Sequence, residues 1–212
     1  MITRRRILSK INEKTEGTFV DLGLPSGLKW ATGNIIKDDN GNYSMGNEME
    51  YGCHFSWGNV EGYNWEANNF TSSTYASTPG ASVDTDISPI DAQHDVAFAR
   101  LGNPWHLPTK DDFQELYDNT DKEWTIMDED TGACGWKFMN KNDHSVYIFF
   151  RASGYLFEGE IYDQGVFGMY WSSSLDSDDH DRVYWMIFNN STVYPQNKGT
   201  RYMGISVRAV HE

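Results

Sequence analysis

The sequence predicts an α+β protein with antiparallel sheet and two helices, folded as one domain. Two observations point there. Short aromatic and β-branched runs, closed off by Gly, Pro and Asn turn signals, occupy both ends of the chain. Two stretches of helical spacing lie between them, and strands, then helices, then strands again mark an α+β order rather than alternating βαβ units. The chain has 212 residues, enough for one domain with a substantial core. No linker or fixed-period repeat divides it. We read residues 1–16 as a polar lead-in and 17–212 as the domain.

The first strands lie in GTFVDLGLPSGLKWATGNI, broken by the turn Pro25-Ser26-Gly27, and Asn40-Gly41 marks a second turn. Residues 66–88 read as a long polar loop. In SPIDAQHDVAFARLG, Ser88 is placed as N-cap, Pro89 at the first helical position and Gly102 just past the end, with Ile90, Val96, Ala97 and Leu101 on one face. In LPTKDDFQELYDN, Thr109 is the N-cap with Asp112 three residues on, and Phe113, Leu116 and Tyr117 form the buried stripe. After Trp124 the pattern returns to β, with two strands around a polar hairpin at 140–144. GVFGMYWSSSL, VYWMIFNN and ISVRAV supply the last strands, and 176–181 and 196–200 read as polar loops.

Composition narrows the function. The net charge is −14, and nucleic-acid binding needs clustered Lys and Arg, so no nucleic-acid partner is expected. The one basic cluster, Arg4-Arg5-Arg6 with Lys10, reads as a solvated tail. No apolar run reaches membrane-spanning length, and MITRRRILSKINEKTEG has no apolar core behind its charged start, so neither membrane insertion nor a secretory leader is expected. Cys53 and Cys134 are too few for a disulfide framework, and a single pair or two free thiols both remain open.

The usual chemical motifs are missing. The six histidines lack paired metal-ligand spacing, and the acidic loop Asp176, Asp178, Asp179, Asp181 lacks the glycine and terminal glutamate of a calcium loop. No metal or other cofactor is expected. Ser172-Ser173-Ser174 read as a strand end whose hydroxyls satisfy backbone groups. Asp111 with Asp112, or Glu158 with Glu160, could pair for glycoside hydrolysis, but that depends on separation in space.

RVYWMIFNNSTVYP raises a specific question. From Tyr184 to Phe188 there is no apolar–polar alternation, so either both faces of the strand are buried or one is exposed for binding.

The ordered series VDLGLPSGLKWATGNI, FSWGNVEGYNW, GNPWHLPTKDDFQEL, ASGY, GMYWSSSL and RYMGISVRAV resembles the Fibrobacter-type major paralogous domain of gut Bacteroidales proteins, over about residues 18–210. The resemblance implies a C-type lectin-like fold, in the branch shared with formylglycine-generating enzymes. Some proteins of this kind are targets of diversity-generating retroelements, in which adenine-directed mutagenesis randomises a C-terminal stretch displayed as a ligand-binding face. By that resemblance Tyr170, Trp171, the three serines, Met186, Phe188, Pro195, Arg201, Gly204, Ser206, Val207 and Arg208 are framework. The diversified, ligand-binding positions are Phe167, Met169, Trp185, Ile187, Thr192, Tyr194, Lys198, Gly199, Thr200 and Met203. Along one strand Met186 and Phe188 then point inward, and Trp185 and Ile187 point to the opposite, binding face. Trp185 and Tyr194 are expected as exposed anchors, and Arg201 and Arg208 as stabilising residues.

The enzymatic branch of the fold does not carry over, because its cysteine pair lies late in the chain, and the calcium-dependent sugar motifs of animal lectins find no match. The resemblance therefore implies a non-enzymatic receptor-binding protein of a phage tail or a cell surface. Its partner would be a bacterial surface protein or glycan, and homo-oligomers are allowed. An undiversified adhesin or scaffold of the same family is the alternative, with a polysaccharide-acting enzyme behind it.

Overall fold

The computed structural model describes residues 18–64 and 87–212. The lead-in with its arginines and most of the loop expected at 66–88 lie outside the described residues. Within them the protein is mostly small antiparallel sheets with two helices, the α+β order read from the sequence.

Strands β1 (Phe19–Asp21), β2 (Lys29–Ala31) and β15 (Val210–His211) form one sheet, so the two ends of the described chain meet. The Pro25-Ser26-Gly27 turn joins β1 to β2, with Gly27 at φ 78° donating to the Leu24 carbonyl at 2.9 Å. A hairpin pairs β3 (Ile35–Lys37) with β4 (Tyr43–Met45) around Asn40-Gly41, and β5 (Cys53–His54) pairs with β6 (Tyr63–Asn64).

Helix α1 is Val96–Leu101, shorter and later than expected from Ser88 and Pro89. Other bonds claim the preceding segment. Ile90 donates to the Ser173 carbonyl, the Ser88 hydroxyl accepts from Leu175 N, and Asp91 takes the amides of Gln93 and His94. The cap is instead Asp95, whose Oδ1 accepts from Ala97 N and Phe98 N while Oδ2 accepts from Leu107 N at 2.8 Å. Gly102 ends the helix as expected, at φ 79°.

Helix α2 (Lys110–Asn119) starts at Thr109 with both halves of the capping box made to Asp112, and buries Phe113 and Leu116. It leads directly into a sheet of β7 (Thr120–Asp128), β8 (Ala133–Asn140) and β9 (Asp143–Arg151), joined by the expected hairpin in register Asn140↔Asp143. A short hairpin follows, β10 (Tyr155–Phe157) with β11 (Glu160–Tyr162).

The last sheet holds β12 (Gly168–Leu175), β13 (Arg182–Phe188) and β14 (Val193–Thr200), in that spatial order. The expected loop at 196–200 is therefore the second half of β14. Its residues are polar and give no strand pattern, yet Asn197, Lys198, Gly199 and Thr200 pair with Trp185, Tyr184, Val183 and Arg182.

This sheet separates two apolar clusters. Trp171, Val183 and Trp185 join Phe55, Trp57, Ile90, Val96 and Val207 on one side. Tyr170, Met186, Phe188 and Val193 join Trp30, Phe113, Leu116, Phe138 and Phe150 on the other. Every residue of β12 is buried. The unbroken apolar run of β13 is explained by burial of both its faces.

Ser172, Ser173 and Ser174 tie this sheet to its surroundings. Ser172 Oγ donates to the Tyr184 carbonyl at 2.7 Å, Ser173 Oγ to the Pro108 carbonyl at 3.3 Å, and Ser174 Oγ accepts from Lys110 N at 3.0 Å. Arg208 is fully buried, and carbonyls and an amide oxygen take its hydrogen bonds: Nε donates to Asn34 Oδ1, Nη1 to the Ala31 and Thr32 carbonyls, and Nη2 to the Phe149 carbonyl. Both cysteines are free. Burial pushes the Cys53 thiol up to about 12.

Candidate ligand-binding face

Antiparallel partners share a face of a sheet, so register sorts the ten candidate positions. Met169 pairs with Ile187, and Ile187 with Tyr194. Trp171 pairs with Trp185, and Val183 with Gly199. Phe167 lies before β12, where its amide donates to the Asp163 carbonyl at 2.9 Å and its carbonyl accepts from Gly154 N at 2.7 Å, so strand alternation assigns it no face. Met169, Trp185, Ile187, Tyr194 and Gly199 therefore share one face, which we call the Trp185 face. A bulge between Trp185 and Ile187 keeps the set together, because it shifts the β14 register so that Tyr194 stays beside Ile187.

Met203, Thr192, Lys198 and Thr200 divide differently. Met203 lies after β14 and packs against the same apolar cluster as Ile187. Thr192 sits in the β13–β14 turn, where Asn189 Oδ1 accepts its amide at 3.0 Å. Lys198 and Thr200 pair with Tyr184 and Arg182, which puts them on the opposite face. Lys198 is held there by Asp176 at 2.8 Å and lies 5.0 Å over the Tyr184 ring, which Lys110 also approaches at 5.6 Å. The ammonium beside Asp176 holds that carboxyl below its usual range. Asp176 is thus a buried ion-pair partner and not one of the solvated acids of its loop.

Exposure rises across the Trp185 face from β12 to β14: Met169 on β12 is 7% exposed, Ile187 on β13 intermediate, and Tyr194 on β14 58%. Tyr194 stands exposed, as expected. Trp185 does not. It is only 5% exposed, with its ring 5.3 Å from that of Trp171. Room for its indole comes from Gly199, where a Cβ would stand 1.5 Å from Trp185 Cη2. The Trp185 Nε1 is buried without a hydrogen-bond partner. The other face repeats the device at Gly168, where a Cβ would stand 2.0 Å from Phe188 Cζ.

Sequence reasoning missed the seat at Gly199 and the strand that carries it. The only local signal is a glycine in a polar segment, which also suits a turn.

Among the described residues, no three His, Cys, Asp or Glu side chains gather to hold a metal ion, and no helix is long and apolar enough to cross a membrane. Of the carboxylates considered for a hydrolytic pair, Asp112 closes the capping box, Asp111 meets Lys110 at 2.7 Å, and Glu160 Oε2 accepts from the Tyr162 hydroxyl at 3.1 Å. Asp95 is pushed upward by burial, and both its oxygens are committed to backbone amides. A pocket of about 500 Å³ lined by Lys37, Asp38, Glu50, Tyr51, Thr131 and Arg151 includes none of the ten positions. No family model, curated protein or solved structure matches the chain.

Proposed function

We propose that this is a non-enzymatic recognition protein with a C-type lectin-like fold, whose ligand-binding surface is the Trp185 face and its margin. In this reading the face is diversified by a retroelement, the protein serves a phage tail tip or a cell surface, and the ligand is a bacterial surface protein or glycan. The observation that carries the reading is the register of the last sheet, which gathers five of the ten positions expected to vary onto one side. The framework positions Tyr170, Met186 and Phe188 fall in the cluster behind it. Tyr194, with Ile187 beside it, offers a rigid aromatic contact of the kind that anchors adaptable binding surfaces. The sheet edge would then be the centre of contact, and Lys198 and Thr200 would lie outside it.

Sequencing the 3′ end of the gene across its natural population tests this. Changes concentrated at Ile187, Thr192, Tyr194 and Met203, with Trp171, Gly204 and Arg208 fixed, are the expected outcome. Equal constancy at both sets would remove diversification and leave a fixed-ligand adhesin or scaffold in its place.

A further inference from the structure

We infer that Gly199 is a specificity-determining position that acts through Trp185: glycine lets the indole lie down across β14, and any side chain there lifts it toward the surface. Resting on the reading of this face as the ligand surface, the inference makes positions 185 and 199 one unit of recognition.

The sterics leave little choice. A Cβ on Gly199 would meet Trp185 Cη2 at 1.5 Å, Cζ2 at 1.9 Å and Cζ3 at 2.2 Å, all far below any real contact distance. Those atoms form the outer edge of the ring, at the end of a side chain with two rotatable bonds. The backbone at Gly199 is outside the left-handed region and pairs regularly with Val183, so an L-residue fits the strand itself. The ring must yield, not the strand.

The indole also has somewhere to go. Its neighbours on the face become more exposed toward β14, ending at Tyr194. The flat pose gains apolar contact with Trp171 and Val183. It also leaves Nε1 buried without an acceptor, a cost that hydration would relieve. These terms oppose each other and bring the two poses closer in free energy than for an ordinary core tryptophan. Phe188 over Gly168 has no such release, since it carries no polar atom and lies in the closed second cluster.

With glycine, the face offers a smooth apolar ledge led by Tyr194. With alanine or larger, it offers a second projecting aromatic and a free N–H donor, which suits ligands bearing a hydrogen-bond acceptor, such as a carbonyl or sugar hydroxyl.

The test needs no ligand, so it stands apart from the sequencing result. Acrylamide quenching of tryptophan emission and the thermal midpoint are measured on the full chain for wild type, Gly199→Ala, Trp185→Ala and the double variant. Gly199→Ala should raise the quenchable emission by the share of one indole among the eight, and lower the midpoint by several degrees. In the Trp185→Ala background the same change should alter neither. If Gly199→Ala fails to fold, restoration of folding by Trp185→Ala supports the steric coupling. Unchanged quenching in folded Gly199→Ala, an equal midpoint loss in both backgrounds, or no rescue overturns it.

Discussion

The two faces of the last sheet start from the same chemistry and end differently. On one, Tyr170, Met186, Phe188 and Val193 close against the helix α2 side, with Phe188 seated over Gly168. On the other, Trp171 and Trp185 pack as deeply, with Trp185 seated over Gly199, but the row Met169–Ile187–Tyr194 runs out to solvent. A large aromatic over a glycine is therefore no mark of either core or surface. What differs is the boundary. Strand β14 is the sheet edge, and on the Trp185 side the apolar row continues to it without a cover over Tyr194.

Four experiments test this contrast. The largest effect is expected at Arg208, which links carbonyls near β2 to that of Phe149 in β9. Arg208→Met strands several buried acceptors and should cost about 3–5 kcal/mol in urea unfolding. A loss below 1 kcal/mol would mean that the fold does not depend on this buried cation. Next, Phe188→Ala should cost about 3–5 kcal/mol through the cavity it opens on the closed face. A small cost there would show that face to be as yielding as its opposite.

Acid should act on the Trp185 side, where His54 lies between Cys53 and Phe55 of that cluster. Burial lowers its pKa to about 4, and its Nε2 lies 3.2 Å from the Ser153 carbonyl. The unfolded chain binds the proton first, near the ordinary value of about 6.5. Stability is therefore full above that pH and falls as pH drops toward 4, by about 3 kcal/mol at most from this group. Urea midpoints between pH 7 and pH 4 measure it, and His54→Gln should flatten the profile. An equally steep profile in the variant would place the acid sensitivity elsewhere. Smallest in stability is Tyr194→Ala, which should stay within about 0.5 kcal/mol of wild type in unfolding. Once a ligand is in hand, the same change should weaken binding by about 2 kcal/mol. A large unfolding effect would make Tyr194 a structural residue and empty the proposed edge of its anchor.

Much of the architecture was legible in the residues. The capping box at Thr109 and Asp112, the Asn40-Gly41 turn, the hairpin after Asn140 and the C-terminal glycine of helix α1 each rest on interactions within a few residues of sequence. The helix start at Ser88 misled because Ser88 and Ile90 bond to β12, more than eighty positions away. Strand β14 was unreadable because its second half is polar, and backbone pairing asks little of side chains at a sheet edge. For the candidate face, alternation placed Trp185 and Ile187 together and opposite Met186 and Phe188, as the two clusters have them. It gave no means of telling the buried Trp185 from the exposed Tyr194.

Local backbone preference and the period of a strand set the α+β order, the turns, the end of helix α1, the cap of helix α2 and the opposition of Trp185 and Ile187 to Met186 and Phe188, and these can be read from the residues alone. Packing between distant segments settles that both sides of β13 are covered while the Trp185 side opens at Tyr194, that Gly199 holds the Trp185 ring, and that Lys198 belongs to Asp176 on the far face. Those outcomes depend on register across strands, where a single bulge redirects every side chain beyond it, and on how far each neighbour extends over the sheet edge.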